Sequence, residues 1–428
     1  ALASLLPPEH AARVLRGVAT RHVRHLASGA PAKALADPRR TRVALAALGA
    51  LGAVAPSVFA THAAAVSDFV MSVMLPAPAA AFGRGGALAA GGGSKSAAPS
   101  AGALPPPSVA AAAKAEALED LAAALVPDAA SPLVLSDARA AAKAVAGSSS
   151  SSSSAGGLRI RMTAEALAVA DRLVPELAGL VDPDAAATDG SAAVAAAHAA
   201  IVAANEEGGA GAELSPAARA DAAALRTGAS RALLALLQAA ETRVPSGAYF
   251  ALSLVLQDQE ADVRSAFRAA LISAVDSACR GGGVRAAPAL WGSASSSCSF
   301  SAGSSSSRAS KLAAPLALSA VDPSKQAQLQ ALKAMRRFVA SRREAVAQQM
   351  RQRAAAAATG RNGGGNEDPK TPSATTDSLL HEAPEFALTY LLQILAHHPD
   401  FPPCGPATGG GPFPAAEELT PFAVRFLF

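Results

Sequence analysis

From Tyr249 to Asp276 the chain reads YFALSLVLQDQEADVRSAFRAALISAVD, two apolar helical runs separated by a short acidic break. Leu252, Val255 and Leu256 give the first run one apolar face. Val263, Phe267, Ala270, Leu271 and Val275 give the second a stripe at spacings of three and four, the period of a helix and not of a strand. Asp258 to Asp262 carries the break. Neither face is stable alone in water, so the pattern predicts two helices packed antiparallel and stacked on a further pair. Asp262 lies near the positive end of the second helix, and Arg264 is within reach of a neighbouring acceptor, as in an α-solenoid repeat. This points to a scaffold rather than a pocket enzyme.

A chain of 428 residues can hold several domains or one long solenoid. Its hydrophobic share of 51% is dominated by alanine, which buries little area per residue, and aromatics make up only 4%. Large-residue packing is therefore concentrated in a few segments, with Ala/Gly/Ser/Pro-rich sequence between them. The net charge of +4 favours a polyanionic partner only weakly. Cys279, Cys298 and Cys404 are scattered, without zinc spacing or an even number for a disulfide framework, so a reducing compartment is the default. No run of eighteen strongly apolar residues is evident, the nearest being Val43 to Val54, and no membrane association is expected. The chain opens in helical-looking sequence without Met, as a fragment would, so no targeting signal is sought.

Residues 1–75 read as N-terminal helices. In the first of them Val14, Leu15, Val18 and Leu26 are expected inward, with Arg13, Arg16, Arg21 and Arg24 on the other side. His22 and His25 read as surface or boundary residues. Asp37 and Pro38 start the next helix, which runs to Pro56, and His62 to Leu75 forms its hairpin partner, with Met71 and Met74 filling core. Residues 76–157 read as a low-complexity insert with one or two short helices, one of them Lys114 to Leu125. A seven-serine run closes this insert at Ser148 to Ser154. Residues 158–280 read as helical repeats: Pro175 is expected to kink or divide its helix, and Ser215–Pro216 to cap the next. Residues 281–311 form a disordered Gly/Ser insert, in which Trp291 is a docking anchor or a short loop contact.

Residues 312–353 contain LALSAVDPSKQAQLQALKAMRRFVASRREAVAQQM, with Asp322 as cap and Pro323 at the helix start. Leu329, Leu332, Met335, Phe338, Val339 and Val346 occupy one arc, expected to be buried. Lys333, Arg336, Arg337, Arg342 and Arg343 form a basic ridge, which is either a solvated helix face or a partner-binding surface. A second disordered insert spans 354–378, a further helix 379–402 and a fragment end 403–428. In that helix Phe386, Tyr390, Leu391, Ile394 and Leu395 are expected buried. His397, His398 and Asp400 are metal-ligand types, but adjacent histidines on a helix end point apart and no further ligand is near, so no metal site is expected.

No Gly-rich phosphate loop with its lysine, no GxSxG elbow and no HExxH occurs. Carboxylates stand singly at helix starts or in breaks, where capping explains them. Neither catalytic residues nor a cofactor is expected.

The segments LRTGASRALLALL at Leu225, LVLQDQEADVRSAFRAALISAV at Leu254, LALSAVDPSKQAQLQALKAMRRFVASRREAVAQQ at Leu316 and PEFALTYLLQILAHHPDF at Pro384 occur in an order that resembles the central region of the Pds5 family of sister-chromatid cohesion proteins. The likeness covers Leu225 to Phe401, and His398 stands where that family has Asp after His. It implies an all-α HEAT-repeat solenoid, an ARM-like superhelix, carrying long disordered low-complexity inserts. It implies a non-enzymatic nuclear, chromosome-associated regulator of cohesion maintenance and release, with a role in DNA repair. The implied partners are the cohesin complex, through its kleisin subunit and SMC proteins, and a Wapl-type releasing factor, with a weak DNA contact besides. The ridge Lys333, Arg336, Arg337, Arg342 and Arg343 is the expected contact for an acidic kleisin segment or DNA. A generic HEAT/armadillo adaptor, such as a transport receptor or phosphatase scaffold, is the alternative.

Overall fold

Alanine is the best helix former, and so much of it with few β-branched runs favours helix throughout. The computed structural model describes residues 8–27, 31–82, 105–128, 131, 133–138, 162–182, 194–197, 199, 215–279, 302–360 and 383–399, and every regular element among them is helical. The expectations at Ser148–Ser154, Trp291, Cys298, Asp400 and Cys404, the remaining insert sequence and the end at 403–428 lie outside the described residues. The chain divides into two compact units.

The first unit comprises Ala1–Val255 and Glu260–Phe267. Its helices are α1 (Pro8–Ala27), α2 (Pro31–Ala36), α3 (Pro38–Val54), α4 (Pro56–Asp68), α5 (Val109–Leu125), α6 (Ala164–Val181), α7 (Pro216–Ala239) and α8 (Ser246–Leu254). The cap at Asp37 forms as its sequence suggests, the carboxylate accepting from Arg40 N at 3.1 Å. Ser215 does the same for α7, accepting from Ala218 N at 3.2 Å. The link between α3 and α4 is a single residue, Ala55, because Pro56 opens α4 at once. A π-helical turn, Phe69–Met74, extends α4, and Leu75 N donates to Val70 O at 3.0 Å. Pro56–Met74 is thus 19 continuous residues, long and apolar enough to cross a membrane, which the broken reading of this stretch had hidden; half of its apolar window is buried inside the protein. It packs against α1, α3 and α6, which accounts for its apolar character.

The core of this unit is α5, within sequence expected to be mostly insert. The helix begins at Val109, not Lys114, with Ser108 Oγ accepting from Ala111 N at 3.1 Å. α3 and α7 pack on opposite sides of it. The approach is close enough that a Cβ on Gly49 would lie 2.9 Å from Asp120 O, and one on Gly228 would lie 2.7 Å from Ala115 Cα. Glu116 pairs with Arg42 of α3, and Glu119 with Arg231 of α7 at 3.2 Å. Ser108 further donates its N–H and hydroxyl to Asp221 at 2.6 and 2.8 Å. Leu118, Leu121 and Leu125 form its one bulky apolar stripe, and the rest of the helix is alanine held by glycine contacts and flanking ion pairs.

Two further expectations are corrected in this unit. α6 runs through Pro175 as one element and is not divided there, with buried residues on both sides of the proline from Val169 to Leu180. α8 packs on α6 and α7. In α1 the buried positions are Ala11, Ala19 and Leu26, whereas Val14 and Val18 are 55% and 39% exposed. The small alanine face admits close neighbours and leaves the valines outside.

The second unit comprises Leu256–Gln259 and Arg268–Phe428, so the unit boundary falls within α9 (Ala261–Cys279). It holds α10 (Ala302–Ala313), a 3₁₀ segment Ala314–Val321, α11 (Lys325–Gly360) and α12 (Phe386–Ala396). The 3₁₀ segment is the hub: α10, α11 and α12 all pack on it, over buried Leu316 and Leu318. Helix α10 occupies 302–311, expected as insert, and α11 continues past 354 to Gly360. Alanine is the strongest helix former and serine is only mildly unfavourable, so a composition rich in both does not exclude helix. Ile394 and Leu395 of α12 are buried as expected, while Phe386, Tyr390 and Leu391 are half-buried.

Candidate partner-binding face

Helix α11 carries eight basic residues from Lys325 to Arg353 and one acid, Glu344. Its start departs from expectation. Ser324 caps it, its hydroxyl accepting from Ala327 N at 3.4 Å, and the helix opens at Lys325. Asp322 does other work: it is buried, accepts from Ser324 N at 2.8 Å, and pairs with Arg268 of α9 at 3.0 Å, the two side chains 2% and 7% exposed. Nothing in the local sequence marked Arg268, because its acid lies 54 residues away.

The buried face of α11 is Ala327, Ala331, Ala334 and Phe338, followed by Arg342. That reverses much of the expected arc. Leu329 and Leu332 are 65% and 47% exposed, and Met335, Val339 and Val346 are only half-buried. The hub packs closely against the alanines, so the bulky residues turn outward. Arg342, expected in the ridge, is 7% exposed and belongs to the interior face.

Of the other ridge residues, Arg337 is tied to Asp276 at 3.1 Å and Arg343 to Glu385 at 3.1 Å. A backbone hydrogen bond at Glu385 itself, then the Arg343 guanidinium, hold that carboxyl below its ordinary range. Lys333 and Arg336 are exposed and make no ion pair among the described residues.

Lys325, Leu329, Leu332, Arg336 and Arg343 follow one another at spacings of four, three, four and seven, and so form one stripe down the solvent side. At 1.5 Å per residue it is about 27 Å long. Leucine pairs with cation along it, a surface suited to a partner segment that offers apolar side chains between carboxylates. Exposed cations alone would supply steering and little affinity; the leucines supply the area whose burial drives association.

His397 and His398 point apart as expected: His397 Nδ1 lies 2.8 Å from Gln393 O of its own helix, and His398 is buried with Nε2 2.6 Å from Gln257 Oε1. Among the described residues no three metal-ligating side chains converge. Set against models of known protein families and against curated proteins, the chain matches none.

Proposed function

We propose that this chain is a non-enzymatic HEAT-type helical scaffold that docks an acidic, amphipathic segment of a partner protein along the outer stripe of α11. The exposed Leu329 and Leu332 between Lys325, Lys333 and Arg336 are the observation that carries it. Leu329 and Leu332 are neighbours on the outer side of the helix and are set among cations, not scattered singly, which favours a partner as their reason. The likeness of Leu225 to Phe401 to the Pds5 family names the partner: the kleisin subunit of cohesin, with the chain acting beside a Wapl-type factor in cohesion maintenance and release on chromosomes. The ridge is accordingly redrawn. Lys333 and Arg336 remain in it, Arg337 and Arg343 contribute part of their charge, and Arg342 is withdrawn.

The test is co-precipitation of the full chain with purified kleisin. Lys333→Glu combined with Arg336→Glu should weaken capture while helicity by circular dichroism stays unchanged, and Leu329→Ser combined with Leu332→Ser should weaken it independently of salt. Unchanged capture by both pairs would remove α11 from the binding surface.

A further inference from the structure

A second cationic feature lies in the first unit, far along the sequence from α11. Helix α1 and the start of α3 enclose a concavity of about 940 Å³ lined by Arg13, Arg16, Arg21, Arg24 and Arg40. All five arginines are exposed, and none makes an ion pair among the described residues. The one carboxylate in the lining, Asp37, faces the α3 backbone, accepting from Arg40 N at 3.1 Å. Five like charges gathered against a single carboxylate repel one another, so the arrangement favours a bound anion.

The lining also constrains what that anion is. Every cation contributed by the helices is arginine, whose planar fork suits phosphate oxygens in pairs. The lining has no Phe, Tyr or Trp, and its one aromatic ring is the half-buried His25, so it offers no row of stacking platforms such as line single-strand grooves. Arg13 to Arg24 spans 11 residues of one helix, about 16 Å. That length matches about five phosphate steps along a duplex, at roughly 3.4 Å per strand. A compact anion would meet only part of such a row.

We infer that the arginine groove of α1 and α3 binds the phosphodiester backbone of double-stranded nucleic acid, without reading sequence. The groove holds the duplex by four or five phosphate contacts, Arg13, Arg16, Arg21 and Arg24 along one strand and Arg40 from the side. It lies in a different unit from the α11 stripe.

The experiment is fluorescence anisotropy of the full chain with a labelled mixed-sequence DNA duplex, titrated with salt. Neutralising about four to five phosphates gives a slope of log K against log salt near −4. Arg16→Ala with Arg24→Ala should make the slope shallower by about two, and scrambling the duplex sequence should change nothing. Lys333→Glu with Arg336→Glu in α11 should leave the slope intact. A duplex RNA of equal length distinguishes the source of the backbone, and either duplex supports the inference. Tighter binding of single strands, equal competition by polyglutamate or tripolyphosphate at matched charge, or a slope unmoved by the arginine pair would each overturn it. Because these arginines are exposed, circular dichroism of the variants should match the parent, and loss of helicity is checked by the milder single change Arg16→Lys, which should retain most of the slope.

Discussion

Replacing Gly52 with alanine separates the two opposed effects of a helix glycine in this fold. In an open helix the change would stabilise, by up to about 1 kcal/mol from propensity alone. At Gly52, however, the new Cβ would lie 2.6 Å from the Cα of Ala124 in α5, against an ordinary carbon contact of about 3.5–4 Å. The atoms it meets are backbone, with no flexible end to swing aside, so α3 and α5 must part by about 1 Å along their seam. Overpacking of that kind costs about 1–3 kcal/mol. Net destabilisation of about 1–2 kcal/mol is expected, a fall in melting temperature of roughly 2–8 °C for a unit of this size. Gly17 is the internal control, since nothing lies within 4 Å of its added Cβ. Gly17→Ala should stabilise by up to about 1 kcal/mol. Urea unfolding of the full chain followed by far-UV circular dichroism reads both variants. A Gly52→Ala protein as stable as Gly17→Ala would refute the close α3–α5 contact and with it the central place of α5.

Further expectations follow from the same packing. Arg268→Met strands the buried Asp322 carboxylate and should cost about 3–5 kcal/mol, seen as a lower urea midpoint; a loss under 1 kcal/mol would mean the pair is solvated. Burial lowers the Lys114 amine to about 8, below its free value of 10.5, although its Nζ donates to Ala77 O at 2.7 Å. The penalty for charging it is therefore complete below pH about 8 and fades as pH rises toward 10.5. The parent should gain stability relative to Lys114→Met across that interval, and parallel pH profiles would contradict the burial. Asp120 behaves oppositely: burial first, then Glu116 and Glu119, raise its carboxyl from 3.8 to about 7. Its neutral form favours the fold, so stability is lost as pH rises from 3.8 to about 7. Asp120→Asn should remove that loss, and an unchanged profile would refute it.

Helix boundaries were legible from a cap and a proline beside a periodic stretch at Asp37–Pro38 and Ser215–Pro216, but not at Asp322–Pro323, where Ser324 caps the helix and Asp322 turns inward to Arg268. The buried faces were less so, for one physical reason. In most helices the inner face is marked by Leu, Ile, Val and Phe, but here several seams are so close that only alanine and glycine fit. Ala11 and Ala19 are buried in α1 while Val14 and Val18 are exposed, and Ala327, Ala331 and Ala334 are buried in α11 while Leu329 and Leu332 are exposed. The same effect hid the start of α5 and its central place, since Ala110, Ala113, Ala117 and Ala124 are interior beside the expected leucines. For the candidate site, the cluster of basic residues was readable, but which of them face outward depended on that reversed stripe. Arg342 was consequently placed on the wrong side, and the partners of Arg337 and Arg343 were invisible because Asp276 and Glu385 lie far from them in sequence.

The most direct test of the α11 surface is site-specific photo-crosslinking to kleisin from a cysteine placed at Leu332 and labelled with a short crosslinker. Gln330 is exposed on the same helix but points to another side, and supplies the matched control. Leu332→Cys should crosslink to an acidic kleisin segment, and Gln330→Cys should not. Crosslinking at neither position, or equally at both, would contradict docking along the stripe.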